Sequence, residues 1–269
     1  MEKILRVVVP GRGSGLAPVL SGLLLAALPW PMAVAQATPA GNGLVRAVPA
    51  APVASGALGA DAATLVQSAR ELLMAGKHAE ALAQIAPVLA DAATRTHGRA
   101  AYCAHDQVEA LTYMGMAPQG ATADILPGDD CDALYLRAFA LTEMGQRADA
   151  VAALEQLTAL SPAYPQYFVE LGFAYRRAGQ PQKAMAAYQQ ARQIVDDSGR
   201  AAQFGGYRAA ALRGIGFLLF DAKDWDGAEA AYRASLKDDP DSRVAASELA
   251  LIAKKRAAAV AVTVAQPGA

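Results

Sequence analysis

Residues 165–196 read PQYFVELGFAYRRAGQPQKAMAAYQQARQIVD. The same text returns, altered, on either side. Residues 131–162 read CDALYLRAFALTEMGQRADAVAALEQLTALSP, and residues 209–240 read AAALRGIGFLLFDAKDWDGAEAAYRASLKDDP. The three stretches align without internal gaps. The first two start 34 residues apart, and the third is displaced by a further 10, so residues 199–208 (GRAAQFGGYR) are an insertion. Self-similarity at a fixed period of this size marks a repeat array, in which each unit buries too little surface alone and stacks on its neighbours.

Composition points the same way. Hydrophobic residues make up 54% of the 269, but 66 residues are alanine and aromatics are only 6%. Alanine is the best helix former, whereas strands favour β-branched and aromatic residues, so an all-β fold is excluded. The net charge of −1 leaves no general basic surface, and nucleic acid is not expected as a partner. Two cysteines exclude a disulfide-dense mini-protein.

The repeated positions are specific. Residues 165–196 supply Phe168, Leu171, Gly172, Tyr175, Ala184, Tyr188 and Ala191. The third stretch supplies Leu212, Ile215, Gly216, Leu219, Ala228, Tyr232 and Pro240. The first supplies Leu134, Ala138, Leu141, Gly145, Ala150, Leu154 and Pro162, with Arg137 where a large apolar residue is expected. This pattern resembles the tetratricopeptide repeat, a 34-residue helix–turn–helix unit. The resemblance implies an all-α fold, a right-handed α-solenoid closed by a C-terminal capping helix. Repeats are expected at about 62–95, 131–164, 165–198 and 209–242, with the capping helix over 242–256. Residues 96–130 are expected to be a degenerate repeat. Leu111 to Gly115 mirrors Leu141 to Gly145 and predicts a helix over about 97–115, while Pro118, Gly120, Pro127 and Gly128 leave no ordinary second helix. Gly172, Ala184 and Ala191 are expected at close helix approaches, with Tyr175, Tyr188 and Tyr232 filling the gaps.

The ends differ from the array. Residues 1–37 have the form of a cleavable export signal: Lys3, Arg6 and Arg12, an uncharged apolar run from Leu16 to Leu28, and small residues at Ala33 and Ala35 or at Ala35 and Ala37. The run is too short to span a membrane, which takes about 20 apolar residues. Residues 38–60 have the composition of an Ala/Pro/Gly linker and 257–269 that of a disordered tail. The expected location is therefore periplasmic or secreted, in a bacterial envelope.

Catalytic signals are missing from the sequence. No nucleophile elbow or nucleotide-binding loop lies outside the export signal, so neither an enzyme nor a cofactor is expected. His97, Cys103 and His105 would fall on one helix but lack the spacing of a zinc site. Asp129, Asp130 and Asp132 suit capping of a helix better than calcium. Cys103 and Cys131 are expected to pair as a structural disulfide, since an exported chain with two cysteines matures in an oxidising compartment.

The resemblance implies a non-enzymatic scaffold that binds a peptide or protein segment on the concave face lined by first helices. Three phenylalanines, Phe139, Phe173 and Phe217, recur at one repeat position, with Tyr135, Arg176, Arg177, Arg213 and Phe220 at helical offsets from them. Such a stripe suits a partner with apolar side chains and some negative charge. It either faces the groove or fills the seam between neighbouring first helices. Self-association is a further expectation. The alternative is a small-ligand-binding or enzymatic protein that uses 116–130 and 199–208 to build a pocket.

Overall fold

A computed structural model of the chain describes residues 59–95, 100–116 and 123–265. Residues 1–58, which include the expected export signal, and residues 96–99, 117–122 and 266–269 lie outside them, His97 among them. The fold is all-α. Four helix pairs follow the repeats: α1 (Gly59–Met74) with α2 (His78–Arg95), α4 (Gly128–Glu143) with α5 (Arg147–Leu160), α6 (Pro165–Arg177) with α7 (Pro181–Ser198), and α8 (Ala201–Asp221) with α9 (Trp225–Ser235). Helix α3 (Gln107–Met116) stands between the first two pairs, and α10 (Arg243–Ala265) closes the array. Each second helix packs on the first helix of the next pair, α2 on α4, α5 on α6, α7 on α8 and α9 on α10.

The turn inside each pair has one backbone solution. Gly76, Gly145 and Gly179 all adopt φ between 71° and 74°. In each, the glycine amide donates to a carbonyl three residues back and the next amide reaches five back, as Gly179 does to Arg176 and Gln180 to Tyr175. These are the bonds that end a helix in a left-handed residue, which glycine adopts without steric cost. The fourth pair makes the same bonds with Lys223 at φ 64°.

The small residues and tyrosines are where the repeat pattern places them. Ala184 and Ala191 are fully buried, and Tyr175, Tyr188 and Tyr232 are buried with them. The contact around Tyr188 is closest. A Cβ on Gly172 would lie 2.6 Å from its ring, and one on Gly214 would lie 2.4 Å from it. The ring is thus held between two successive first helices, α6 and α8, which also pack on each other.

Residues 100–127 differ from the expected degenerate repeat. Residues 117–122, with Pro118 and Gly120, lie outside the described residues, and 123–127 hold no helix. Cys103 and His105, however, precede the helix and do not sit on it. Residues Ala101–Tyr102 (β1) pair in parallel with Asp124–Ile125 (β2). The stack also bypasses the segment, because α1 and α2 both pack directly on α4. Helix α4 therefore serves two cores. Ala133, Leu136 and Ala140 join Val66, Ala69 and Ile85 of the first pair, while Leu134, Tyr135, Ala138 and Leu141 join the core of the next. The excursion lies instead over the corner between α5 and α6. The Cys103 amide donates to Leu160 O at 2.7 Å, Ser161 Oγ donates to Cys103 O at 2.8 Å, and Ala163 N donates to Tyr113 Oη at 3.2 Å. Cys103 and Cys131 form a disulfide with Cα atoms 5.6 Å apart.

Two further local expectations are corrected, and the insertion takes a place in the fold. The inserted 199–208 stretch is mostly not a connection: Ala201 onward extends α8 at its N-terminus. Arg208 fastens this extension, with Asp238 at 2.7 and 2.8 Å and Asp196 at 2.8 Å. Helix α10 continues to Ala265, past the expected boundary at 256. Asp129 and Asp130 stand in the first turn of α4, whose N-cap position is Pro127, and Asp132 pairs with Arg70 of α1 at 2.9 Å.

Two stability predictions follow from this geometry. Lys223→Gly should stabilise the protein by about 0.5–1 kcal/mol in urea unfolding, because relief of the left-handed strain exceeds the entropy glycine adds to the unfolded chain. Removing the disulfide by the double change Cys103→Ser, Cys131→Ser should cost on the order of 3 kcal/mol, the closure entropy of its 28-residue loop. Reductant should lower the midpoint of the wild type and leave that of the double variant unchanged.

Candidate functional site

The surface made by the first helices is the place where exposed aromatic rings and charge coincide. Phe139 on α4 is 39% exposed. Phe173 on α6 and Phe217 on α8 are half-buried and belong to none of the three buried cores. Both rings share one cation: the Arg176 guanidinium lies 4.2 Å from the Phe217 centroid and 5.3 Å from that of Phe173. Arg177 approaches the Phe173 ring at 5.6 Å. A guanidinium over an aromatic face is held by the ring quadrupole, so Arg176 joins two successive repeats across the surface.

The remaining residues of the expected stripe go elsewhere. Tyr135 is buried, and its hydroxyl accepts a hydrogen bond from Gln166 Nε2 at 2.9 Å. Arg213 is paired with Asp239 at 2.7 Å. Phe220 packs in the α8–α9–α10 core beside Tyr232. The stripe therefore divides, with Phe139, Phe173, Phe217, Arg176 and Arg177 on the surface and Tyr135, Phe220 and the neutralised Arg213 in the framework.

Acidic side chains, which the sequence pattern did not single out, complete this surface. Glu170 stands one turn before Phe173 on α6. Burial pushes its carboxyl up to about 7, and the nearby Glu143 carboxylate adds to the rise. Burial also raises Asp221, against the pull of Arg176, and raises Glu248 on α10, with Asp221 adding to the effect. The Tyr188 hydroxyl, pushed up to about 12 by burial, is hydrogen-bonded to Arg176, which partly opposes the rise.

A hydrogen-bonded aromatic cluster borders the surface at the N-terminal end of α6. Tyr207, on the α8 extension, donates to Gln166 Oε1 at 2.8 Å. His105 stacks on Tyr164 with centroids 3.6 Å apart, and its two ring nitrogens reach Glu109 Oε2 and Tyr167 Oη at 2.9 Å each. Arg200 at the start of α8 pairs with Asp106 of the excursion. Although Glu109, His105 and Tyr167 form a chain, Tyr167 is buried and burial holds its phenol far above the ordinary range. The chain is a clasp between the excursion and α6, not an activated nucleophile. Isolated sequence positions could not have found it, since Glu109 and Tyr167 are brought together only by the bypass.

Two shallow surface clefts, one lined by Thr142, Arg147, Ala150, Ala174 and Arg177 and one by Ala63, Thr64, Gln67, Ser68 and Glu71, border neither 116–130 nor 199–208. Among the described residues no cluster of His, Cys, Asp and Glu has a metal-holding arrangement, and no helix is long and apolar enough to cross a membrane.

Three segments, 132–163, 166–198 and 210–242, match the family model of the tetratricopeptide repeat. Tetratricopeptide repeats are thus present in the three stretches that align with one another. Similar solved structures include the Sgt2 TPR domain from Aspergillus fumigatus, with 25% identity and a TM-score of 0.42 over 52% of this chain and 86% of that one. The first TPR of Spaghetti (RPAP3), bound to an HSP90 peptide, has 18% identity and a TM-score of 0.41 over 47% of this chain and 93% of that one. MamA has 18% identity and a TM-score of 0.45 over 68% of this chain and 82% of that one. Among curated proteins nothing matches.

The position of Glu170 makes stability depend on pH. Its folded-state carboxyl titrates near 7 against an ordinary 4.5, so the folded chain holds the proton more tightly than the unfolded one. That contribution is fully present below about 4.5 and is lost as pH rises through about 7. The groups facing it, Glu143, Tyr135, Tyr188 and Tyr207, include no base. Glu170→Gln should flatten this slope and stabilise the protein above pH 7 by roughly 1–3 kcal/mol, measured by urea unfolding at pH 4.5 and pH 8.

Proposed function

We propose that this protein is a non-enzymatic interaction scaffold that holds a peptide or protein segment on the concave surface of its repeats. The observation that carries the reading is the placement of Phe139, Phe173 and Phe217. Large rings that contribute to no buried core, arranged on successive first helices, two of them sharing Arg176, have the character of a docking surface. The three tetratricopeptide segments span the helices that present it.

We place the protein in the bacterial envelope, as a periplasmic or secreted accessory of an assembly, secretion, pilus or polysaccharide-export system. The reading draws on the export-type residues 1–37 and on the Cys103–Cys131 disulfide, which suits an oxidising compartment.

Crosslinking in the envelope fraction, followed by capture of the full chain, tests both parts. A partner recovered with the wild type should be lost with Phe173→Ala and Phe217→Ala at unchanged melting temperature. Retention of the partner by both variants would overturn the docking surface, as would a fall in stability large enough to account for the loss. Recovery of the native chain from the cytoplasm with residues 1–37 intact would overturn the location.

A further inference from the structure

We propose that the surface spanning α6, α8 and α10 takes a protein segment that carries Lys or Arg side chains next to apolar ones. The proposal rests on reading the first-helix surface as the docking surface, and it reverses the partner charge that the sequence pattern suggests. That pattern counts Arg176, Arg177 and Arg213 as free cations, and the structure commits two of them. Arg213 is neutralised by Asp239 at 2.7 Å. Arg176 is held over the Phe217 and Phe173 rings and by the Tyr188 hydroxyl. Arg177 alone stays exposed.

The acids have the opposite circumstance. Glu170 and Glu248 form no ion pair among the described residues, and the charged groups that act on them are acids, Glu143 for Glu170 and Asp221 for Glu248, while Asp221 has the Arg176 cation beside it. Glu170 and Glu248 are partly withdrawn from water, whereas Asp221 is exposed. A carboxylate that has lost hydration without gaining a cation gains from one supplied by a ligand. An acidic ligand would instead meet uncompensated like charge, which discriminates strongly against a wrong partner.

Register supplies the second half of the specificity. Glu170 and Phe173 are three residues apart on one face of α6, and Glu248 and Leu251 are three apart on α10. Helix α8, which carries Phe217, packs on α6 and shares a core with α10. A docked segment thus meets apolar surface beside acid on the two flanking helices, with aromatic surface at the centre. An amphipathic basic segment has the matching arrangement, apolar side chains on the phenylalanines and ammonium or guanidinium groups on the carboxylates.

The test is selection of a displayed library of random peptides, about 12 residues long, on the full chain, with counter-selection on the Phe173→Ala, Phe217→Ala double variant. Enrichment of Lys and Arg together with Leu, Ile, Phe or Trp is the expected result. A selected peptide should bind Glu170→Gln, Glu248→Gln about 10-fold more weakly and lose most of that difference in high salt. Enrichment of Asp and Glu, or of apolar residues without charge, overturns the basic partner and leaves the docking surface standing. Peptides that bind the phenylalanine variant equally well, or no enrichment over it, overturn the docking surface and this proposal together. Concentration-dependent dimerisation in light scattering, abolished by Phe217→Ala, would instead assign the surface to a second copy of the chain.

Discussion

The ring of Tyr188 sits where two glycines leave room for it, and much of the array is set by that fit. Gly172 and Gly214 belong to successive first helices, and a methyl group on either would overlap the ring. Interiors pack at crystal-like density, so such a contact fixes helix separation within a few tenths of an ångström. The separation of α6 and α8 in turn sets the distance between Phe173 and Phe217. Arg176 spans that distance and takes the Tyr188 hydroxyl as well. One core aromatic residue therefore connects the repeat pattern to the spacing of the rings on the surface.

The array was legible in the sequence because its constraints are local and recur. Ala184, Tyr188 and Ala191 have counterparts one period away, and the turn glycines Gly76, Gly145 and Gly179 answer one backbone demand three times. Lys223 shows that the demand belongs to the geometry and not to the residue type. The parts that departed from expectation are those without a period. Residues 111–115 repeat the text of 141–145, yet α3 takes no place in the stack, because its neighbours are chosen by the disulfide and by the α5–α6 corner. The 199–208 stretch contains two adjacent glycines, which lower helix propensity. Arg208 nevertheless ties this helical extension to Asp196 and Asp238.

The surface was half legible for a related reason. Helical offsets put Tyr135, Phe139, Phe173, Phe217 and Phe220 on one broad face, but a first helix in this array turns part of that face to its neighbours and part outward. Offsets of three and four residues cannot separate the two sectors, so Tyr135 and Phe220 looked equivalent to Phe139. The acids were invisible for a stronger reason. Glu170 is an ordinary glutamate in the sequence, and only the helices packed around it withdraw water and leave it without a base. Its counterpart on α4, Leu136, is apolar because α1 covers that position.

The bypass has a mechanical consequence. Tension applied along the array passes from the first helix pair to α4 through their packed faces and not through the excursion. If those faces part, the intervening chain does not pay out in full, because Cys103 and Cys131 stay joined across 28 residues. At about 3.5 Å per extended residue, the bond withholds roughly 100 Å of contour length. Under load in an oxidising compartment the first pair is leashed close to the rest of the array, in reach of re-docking, and reduction would pay out the withheld length.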